Sequence, residues 1–430
     1  MEKISVRGGR KLHGSITVGG MKNAALPILL GTILVGDRCV IENLPEISDI
    51  RSALDILSSL GATVRMIDRT TVEIDTSNIR PGTTPYDLAR CMRASYYVVG
   101  AELGRYGTSR AACPGGCDFG VRPIDQHIKG FEALGAKVDV VDGCITCSAP
   151  PEGLTGASIY MDIVSVGATI NIMLAAVLAD GMTVIDNAAR EPHVVDVANF
   201  LNTCGADVSG AGTDVIKIRG VKKLHGVTYA IIPDMIEAGT YMMAAAATGS
   251  ELTIANVIPK HLESISAKLE EMGAKVEDLG DAVHIYPSEG PLRRINVKTM
   301  PYPGYPTDMN PQICVLLCLA RGTSILTEGV WENRFKYVEE LVRMGASITV
   351  DGRTAVIQGG RPFRPATVKC SDLRAGAAMV IAALATDGVT VIENIYHIER
   401  GYEHLVEKLQ GVGADIKTVD TPEDSGQSAV

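Results

Sequence analysis

Leu60-Gly61-Ala62 ends a helix-like stretch and begins a strand-like run, and this short pattern decides the fold. It recurs five more times, at Leu134-Gly135-Ala136, Cys204-Gly205-Ala206, Met272-Gly273-Ala274, Met344-Gly345-Ala346 and Val412-Gly413-Ala414. Glycine is favoured here because it closes a helix in the left-handed conformation without steric cost. The glycines are spaced by roughly 70 residues, a period that makes each repeat one supersecondary unit.

Each repeat is longer than the units of common solenoids and holds too few aromatic residues for a propeller blade. The hydrophobic pattern predicts two helices and about four short strands per repeat. In the sixth repeat we predict strands at 367–370, 390–393 and 414–419 and helices at 372–385 and 402–410. A chain of 430 residues predicts two or three domains rather than one core, which favours an α/β protein with two domains of three repeats.

The composition indicates a globular protein, with 46% hydrophobic residues, one tryptophan and a net charge of −10. The acidic total argues against nucleic acid as the principal partner. The first residues contain no apolar signal core, and no apolar run approaches the ~18 residues that a membrane span needs. We therefore expect a cytoplasmic protein without a membrane partner.

Ten cysteines in a chain of this length are too sparse for a disulfide scaffold and fit a reducing compartment. Cys144 and Cys147 form a C-x-x-C pair, but no second ligand pair lies nearby, so we interpret the pair as incidental. Cys117 differs, because it lies in a loop, 113–123, with three glycines and two prolines. Near Arg122 its thiol is a candidate for reactivity, although a plain surface turn fits the loop equally well.

Positive side chains recur at predicted helix starts, where the helix dipole normally prefers carboxylates by about 0.3–1 kcal/mol each. The helix starts that carry them are at Lys22-Asn23, Arg93, Arg122, Arg334, Arg374 and Arg400. Free backbone donors at the same helix ends attract anions. If the repeats wind about a pseudo-threefold axis, these starts gather at one end of each domain, and two such ends facing each other would form a cleft for a multiply charged phosphate.

Aspartate stands at five predicted helix starts, Asp49, Asp162, Asp234, Asp308 and Asp372, the last of which shares its start with Arg374. Asp162, Asp234 and Asp372 are expected to be N-caps, since a carboxylate at that position accepts from free backbone N–H groups. The chain has no G-x-x-x-x-G-K-[ST] loop and no strand followed by G-x-G-x-x-G. These absences argue against a P-loop nucleotidase and against a dinucleotide-dependent enzyme.

Seven short stretches of the sequence occur in a fixed order, and the order of all seven is more specific than any one of them. They are Gly20–Pro27, Met92–Ser95, Pro114–Cys117 with Arg122–Asp125, Ser165–Thr169, Pro306–Met309, Glu332–Phe335 and His397–Glu403. Together they resemble the UDP-N-acetylglucosamine 1-carboxyvinyltransferase family of enolpyruvyl transferases, over residues 1–419. The resemblance implies a two-domain inside-out α/β barrel with three βαβαββ repeats per domain.

The same resemblance implies domain limits, with repeats one to three at 21–229 and repeats four to six at 230–419, completed by residues 1–20. The polar tail 420–430 is expected to be disordered. The implied reaction transfers the enolpyruvyl group of phosphoenolpyruvate to the 3′-hydroxyl of UDP-N-acetylglucosamine, with release of phosphate. This reaction is the first committed step of peptidoglycan precursor synthesis. It implies no metal and no other cofactor, because side chains supply the positive charge.

The resemblance also implies roles for individual residues. Cys117 would be the proton donor, able to form a covalent adduct with phosphoenolpyruvate, Asp308 the general base, and Asn23 the group that orients the hydroxyl, with Lys22 completing the catalytic set. Phosphoenolpyruvate would be held by Lys22, Asn23, Arg93, Arg122, Arg374 and Arg400. The sugar nucleotide would contact Arg93, Arg122, Pro123, Ile124, Asp125, Gln126, Val164, Ser165, Val166, Gly167, Asp308 and Val330.

Three positions depart from the family pattern: Met21 replaces a frequent alanine, Ile163 a frequent lysine and Met235 a common arginine. With Ile163 in place of a cation, diphosphate binding should rest more on backbone donors.

Two alternatives remain. One is an enolpyruvyl transferase that acts on shikimate 3-phosphate, which needs no loop cysteine, so Pro114–Cys117 argues against it. The other is a catalytically silent paralogue that binds a UDP-sugar, and the presence of Lys22, Cys117, Asp308 and Arg400 weakens it.

Overall fold

The computed structural model describes residues 2–80, 93–112, 124–141 and 143–420. The chain divides into two units. The N-terminal unit comprises Gly19–Pro233 with Pro301–Pro303, and the C-terminal unit comprises Met1–Val18, Asp234–Met300 and Gly304–Val430, each over its described residues. Asp420, expected in the disordered tail, instead ends a strand and pairs with Glu2, and 421–430 lie outside the described residues.

The helices of the described residues follow the repeats. They are α1 (Lys22–Val35), α2 (Ser48–Ser59), α3 (Tyr97–Tyr106), α4 (Asp125–Ala133), α5 (Val166–Ala176), α6 (Pro192–Thr203), α7 (Met235–Thr248), α8 (Glu263–Met272), α9 (Asn310–Leu319), α10 (Val338–Arg343), α11 (Leu373–Leu384) and α12 (Leu405–Gly411). Short 3₁₀ helices lie at Arg93–Tyr96, Pro259–Leu262, Thr307–Met309, Arg334–Tyr337 and Ile395–His397.

The strands of the described residues are short. They are β1 (Glu2–Gly8), β2 (His13–Thr17), β3 (Arg38–Glu42), β4 (Thr63–Met66), β5 (Val72–Asp75), β6 (Thr108–Ala112), β7 (Lys137–Val141), β8 (Cys144–Ser148), β9 (Ser158–Tyr160), β10 (Met182–Asp186), β11 (Asp207–Ser209), β12 (Val215–Arg219), β13 (Thr228–Ala230), β14 (Glu251–Ala255), β15 (Lys275–Asp278), β16 (Ala282–Tyr286), β17 (Val297–Lys298), β18 (Thr323–Thr327), β19 (Ser347–Asp351), β20 (Thr354–Gln358), β21 (Thr367–Lys369), β22 (Gly388–Glu393) and β23 (Asp415–Asp420).

Each repeat builds one small sheet. The sheets of the N-terminal unit have the orders β13-β3-β5-β4, β6-β8-β7 and β11-β12-β10-β9. Those of the C-terminal unit have the orders β15-β16-β14-β2, β17-β18-β20-β19 and β21-β22-β1-β23. Five sheets carry one parallel edge strand, such as β9 beside β10 or β2 beside β14. The strands β1 and β2 thus complete sheets whose other strands come from residues 251–286 and 367–420 of the C-terminal unit.

The six recurrent glycines have the left-handed conformation that the sequence predicts, with φ between 93° and 103°. In the first repeat, Gly61 donates to the Ser58 carbonyl and Ala62 donates to the Leu57 carbonyl, both over 3.0 Å. The other five repeats make the same pair of hydrogen bonds. This is the Schellman motif, which satisfies the last carbonyls of a helix. The Gly-Ala pattern therefore marks six identical helix ends.

The first helix of each repeat lies in the core. In the N-terminal unit α1, α3 and α5 pack against one another, and in the C-terminal unit α7, α9 and α11 do the same. Every side chain from Ala24 to Val35 in α1 is buried, as is every side chain from Met235 to Ala246 in α7. A helix that is apolar on all sides is stable only when other elements surround it.

The second helices are amphipathic, and the sheets have one exposed face. In α8 the buried residues Ile265, Leu269 and Met272 follow the spacing of a single helical face. Strands such as β12 alternate buried and exposed side chains. Helices therefore lie inside and sheets outside, which confirms the predicted inside-out α/β fold.

Candidate active site

Asp308 is held by two arginines of the C-terminal unit. It lies in the 3₁₀ helix Thr307–Met309, directly before α9. Arg374 Nε donates to Asp308 Oδ2 over 3.1 Å, and Arg374 Nη2 lies 3.0 Å from the same oxygen. Arg334 Nη2 lies 3.9 Å from Asp308 Oδ1. The arginine side chains are 5% and 3% exposed, whereas Asp308 is 31% exposed, so a buried positive pair presents a carboxylate that solvent reaches.

Arg374 stays charged despite its burial. Burial alone would lower the pKa of Arg374, but the carboxylate of Asp308, together with Tyr402 and Asp234, raises it above its ordinary value. The Arg374 guanidinium also lies 5.4 Å from the centre of the Tyr402 ring, a cation–π distance. Tyr402, Thr240 and Gln312 form a buried hydrogen-bonded cluster with distances of 2.9 to 3.3 Å, so the base of the site is rigidly packed.

Two of the three predicted N-caps are confirmed. Asp234 caps α7 and Asp372 caps α11, each accepting from two backbone N–H groups. Burial raises the pKa of Asp234, and the Arg374 guanidinium opposes that shift. The third prediction is wrong: Ser165 caps α5, with its Oγ accepting from Ala168. The helix begins after Ser165 because Asp162 is already engaged elsewhere.

Asp162 belongs to a cluster with α4. Gln126 Nε2 donates to Asp162 Oδ2 over 3.1 Å, the Asp162 N–H donates to Gln126 Oε1 over 2.9 Å, and Lys129 Nζ lies 2.8 Å from Asp162 Oδ1. Lys129 and Gln126 lower the pKa of Asp162. Gln126 also donates to Asp125 Oδ2 over 2.9 Å. The cluster fixes the start of α4, where Ile124 occupies the N-cap position.

Residues 164–167 form the N-terminus of α5. Val164 is exposed and Ser165 is extended, so the backbone N–H groups of Val166 and Gly167 begin the helix. Val166 and Gly167 therefore supply helix-start donors, an arrangement suited to an anion. Ile163 is 55% exposed and adds no charge there.

Lys22 and Asn23 occupy the first turn of α1. Lys22 Nζ lies 2.5 Å from Asp49 Oδ2, and their side chains are 12% and 5% exposed. Asp49 lies in the first turn of α2, so the ion pair joins the starts of the two helices of the first repeat. Met21 is buried at the N-cap and supplies no side-chain hydrogen bond to the helix.

Arg93 begins the 3₁₀ helix Arg93–Tyr96, and its side chain lies outside the described part of the structure. The backbone beside it is well anchored. Asn171 Nδ2 donates to the Tyr96 carbonyl over 3.0 Å, and Asn171 Oδ1 accepts from Gly100 over 2.9 Å. His127 lies 3.1 Å from the same Asn171 amide. This buried asparagine of α5 therefore fixes the turn that carries Arg93.

The predicted helix start at Arg400 is wrong. Arg400 is half-buried in a turn between the 3₁₀ helix Ile395–His397 and α12. Helix α12 begins only at Leu405, because His404 at its N-cap has a φ of 49°. Burial lowers the pKa of His397, and Arg400 lowers it further against the opposing effect of Asp372.

Val330 lies in a turn whose main chain is held by hydrogen bonds to two side chains. Glu328 Oε1 accepts from the N–H groups of Val330 and Trp331 over 2.9 and 3.1 Å. Thr299 Oγ1 accepts from Gly329 over 2.9 Å.

Three predicted site residues lie outside the described residues: Cys117, Arg122 and Pro123.

Met235, which replaces a common arginine, is buried directly after the capping Asp234. The described residues contain no cluster of His, Cys, Asp and Glu that would hold a metal ion.

Known proteins resemble the whole chain. Residues 6–409 match the EPSP synthase (3-phosphoshikimate 1-carboxyvinyltransferase) family. UDP-N-acetylglucosamine 1-carboxyvinyltransferase 3 of Caldanaerobacter subterraneus subsp. tengcongensis is 53% identical over 97% of this chain and 99% of that protein. UDP-N-acetylglucosamine 1-carboxyvinyltransferase 2 of Clostridium acetobutylicum is 54% identical, with the same coverage. This chain belongs to the enolpyruvyl transferase family. The family predicted from the seven stretches is confirmed.

A solved enolpyruvyl transferase has the same fold. The crystal structure of NikO from Streptomyces tendae has a TM-score of 0.88 and 28% identity, and covers 98% of this chain and 99% of that one. No helix among the described residues of this transferase is long and apolar enough to cross a membrane.

Sequence reasoning missed three residues that position the site of this transferase. Asp49 was noted only as a helix start, yet it pairs with Lys22. Asn171 lies inside helix α5, and Glu328 lies directly after strand β18. The position of each residue in the sequence gives no sign of its buried hydrogen bonds. Equivalence between repeats could have indicated Asp49, because Lys22 and Asp49 occupy the two helix starts of one repeat.

Proposed function

We propose that this enzyme transfers the enolpyruvyl group of phosphoenolpyruvate to the 3′-hydroxyl of UDP-N-acetylglucosamine, with release of phosphate. The observation that carries the proposal is the solvent-accessible carboxylate of Asp308 held by the buried Arg374. An aspartate with a fixed orientation and an ionised carboxylate suits a general base for a hydroxyl group. The names of relatives that are more than half identical over nearly the full chain support the same reaction.

Asp308 acts as the base late in the addition step. It accepts the proton as the new C–O bond forms, because bond formation makes the hydroxyl strongly acidic. Asn23 orients the hydroxyl as a hydrogen-bonding partner. Arg374 keeps Asp308 Oδ2 in place through its two contacts.

Cys117 supplies the proton that phosphoenolpyruvate needs. Protonation of the methylene carbon makes the central carbon electrophilic, and the 3′-oxygen adds there. Loss of a proton from the new methyl group with expulsion of phosphate restores the double bond and completes the transfer. A free thiol with an ordinary pKa of about 8.5 is mostly protonated at neutral pH, so Cys117 begins the cycle as an acid.

Phosphoenolpyruvate is held as an anion by charge-assisted donors. Lys22, Arg93, Arg122, Arg374 and Arg400 supply the positive charge. Lys22 is preoriented by Asp49 at 2.5 Å, which keeps the ammonium at the start of α1 when no substrate is bound. No metal or other cofactor takes part in this scheme.

UDP-N-acetylglucosamine binds through backbone donors and a shaped turn. The N–H groups at Ser165–Gly167 suit the diphosphate, because a helix start attracts anions. Arg122, Pro123, Ile124, Asp125 and Gln126 receive the uridine, and Val164 and Val330 contact the nucleotide and the sugar. Both substrates are water-soluble metabolites, and we place the reaction in the cytoplasm, as the first committed step of peptidoglycan precursor synthesis.

Phosphate release tests the proposal. The protein is incubated with phosphoenolpyruvate and UDP-N-acetylglucosamine, and phosphate and the enolpyruvyl product are measured. Shikimate 3-phosphate replaces the sugar nucleotide in a parallel reaction, since the family that matches the chain takes its name from that chemistry. Release only with UDP-N-acetylglucosamine is expected. Release only with shikimate 3-phosphate, or with neither acceptor, would refute the proposed function.

A further inference from the structure

Four repeats end their second strand in the same way. Asn43, Asn187, Asn256 and Asn394 directly follow β3, β10, β14 and β22, and each has a φ between 57° and 60°. In three of them the side-chain amide donates to a carbonyl beside the parallel edge strand over 2.7 to 2.8 Å. The asparagine thus ties the end of its own strand to the end of the parallel edge strand, and asparagine tolerates the left-handed conformation that this turn requires.

The fifth repeat departs from this rule. Glu328 directly follows β18, at the position where four other repeats have asparagine, and it does not have a positive φ. The adjacent strand end is instead joined through Thr299 Oγ1, which accepts from Gly329 over 2.9 Å. The two strand ends are therefore joined without the Glu328 side chain, and the burial of its carboxylate needs another explanation.

Glu328 connects three elements by buried hydrogen bonds. Its Oε1 accepts from Val330 and Trp331, and its Oε2 accepts from Asn310 Nδ2 over 2.8 Å. Asn310 Oδ1 in turn accepts from the Tyr337 hydroxyl over 2.6 Å. Glu328, Asn310 and Tyr337 are at most 1% exposed. A buried carboxylate is costly unless donors satisfy it, so these partners are a specific arrangement.

The three elements are the ones that carry the proposed site. Asn310 is the first residue of α9, two residues after Asp308, and Tyr337 ends the 3₁₀ helix that begins with Arg334. Val330 lies in the turn assigned to the sugar. We propose that Glu328 is a positioning residue for the acceptor substrate, holding the 329–331 turn in register with the Asp308 turn. The identity of the acceptor substrate in this inference rests on the proposed function. The role of Glu328 in holding the 329–331 turn does not depend on that function.

The polarity of the hydrogen bonds permits a swap experiment. In Glu328→Gln the new amide faces the Asn310 amide, donor against donor, while in Asn310→Asp two carboxylates face each other. The double variant restores the bond with its direction reversed, because the introduced amide donates to the introduced carboxylate, which still accepts from Tyr337. The net charge of the double variant equals that of the parent protein, so a difference in net charge cannot explain any difference in affinity between them.

Trp331, the single tryptophan of the chain, reports on the same turn. Its fluorescence during titration with UDP-N-acetylglucosamine gives the affinity without turnover. Each single variant is expected to lose roughly 10- to 100-fold in affinity for the sugar nucleotide, the effect of one unsatisfied buried group. The double variant should recover to within about threefold. Asn256→Ala, at the corresponding strand end of the fourth repeat, is the control and should lower thermal stability without changing this affinity.

Unchanged affinity in a folded Glu328→Gln protein would overturn the inference, as would a double variant that recovers thermal stability but not affinity. If Glu328→Gln does not fold, Tyr337→Phe tests the same chain of bonds by removing one hydroxyl, with a smaller loss expected in the same direction. Hydrogen exchange at the Val330 and Trp331 amides separates the two proposals. Faster exchange in Glu328→Gln supports the positioning role even if the parent protein transfers no enolpyruvyl group, and unaltered exchange refutes that role.

Discussion

Arg374 and Asp308 form a two-pronged contact in which Nε and Nη2 both approach Oδ2, at 3.1 and 3.0 Å. The two residues are 66 positions apart in the chain and come from different repeats. Two guanidinium nitrogens that converge on one carboxylate oxygen hold Oδ2 in place by charge-assisted contacts. The family resemblance implies that Arg374 holds the anion and that Asp308 contacts the hydroxyl, and in the structure the two side chains are paired.

Asp308→Asn should abolish most turnover while both substrates still bind. The amide keeps the shape of the side chain but cannot accept the proton, and a general base contributes roughly 10²- to 10⁴-fold to the rate. Steady-state phosphate release gives kcat, and calorimetry gives the two affinities. Asp278→Asn is the control, because Asp278 accepts only from the nearby Gly280 N–H on an exposed turn. Parental turnover in Asp308→Asn would remove Asp308 from the mechanism.

Lys408→Met should strongly destabilise the protein. Lys408 Nζ lies 2.6 Å from Glu237 Oε1 and 3.0 Å from Glu403 Oε1, and the three side chains are at most 16% exposed. Removing one partner of a buried ion pair typically costs about 3–5 kcal/mol, because the other charge stays buried. We expect this loss in the free energy of unfolding measured in urea.

A second substitution tests the reason for that loss. Adding Glu237→Gln to Lys408→Met should recover part of the stability, since the stranded carboxylate is then neutral. Lys260→Met is the control, because its pair with Glu263 is exposed on both sides and such pairs contribute little. A Lys408→Met protein as stable as the parent, or a double variant less stable than Lys408→Met, would contradict this account.

Asp196 should make the stability of the protein fall as pH rises through the acidic range. Burial raises the pKa of Asp196 to about 6, against the opposing hydrogen bonds from Tyr229 and Ile232. The folded state therefore binds this proton more tightly than the unfolded state. The neutral form favours folding fully below about pH 4, and the advantage is lost as pH rises to 6, a change of roughly 3 kcal/mol.

Asp196→Asn should remove this component. The free energy of unfolding is measured for both proteins from pH 4 to 7, and the difference between them isolates Asp196 from the other carboxyl groups. Relative to the variant, the parent should lose stability as pH rises. A difference that is constant across this range, or that changes in the opposite direction, would refute the assignment.

The fold was predictable because its signals are local. Each Gly-Ala pair closes a helix through hydrogen bonds within six residues, so the sequence carries that information at every repeat. The asparagines after the strands, such as Asn43 and Asn187, were overlooked although they recur at equivalent positions of the repeats. The Asp162 cap was predicted wrongly because Gln126 and Lys129, more than 30 positions away, engage that carboxylate.

The residue types of the site were predictable, but their partners were not. Lys22, Asp308 and Arg374 stand at helix starts that the repeats identify, and the family resemblance supplies roles for them. Their partners depend on how the inner helices pack about one another, and the sequence pattern of one repeat does not fix that packing. Asp49 and Glu328, which orient two of the proposed groups, therefore became visible only in the structure.

Cys117 should be the cysteine that an epoxide with a phosphonate group labels fastest, because such a compound mimics the anion of phosphoenolpyruvate and presents an electrophile. The cysteines of the described residues should react slowly with this compound. Cys39, Cys147, Cys204, Cys314, Cys318 and Cys370 are buried, which limits access of the reagent to them. Burial also raises the pKa of Cys147 and of Cys370 to about 12, so these two thiols stay protonated and unreactive. Cys144 is only half-buried.

Peptide mapping by mass spectrometry identifies the labelled residue, with Cys144→Ser as the control that should label like the parent. Cys117→Asp should escape labelling and retain activity, since a carboxylic acid also donates a proton. Cys117→Ser should be nearly inactive, because a hydroxyl is too weak an acid for that step. A label found mainly on another cysteine, or full activity in Cys117→Ser, would leave Cys117 as an ordinary residue of a surface turn.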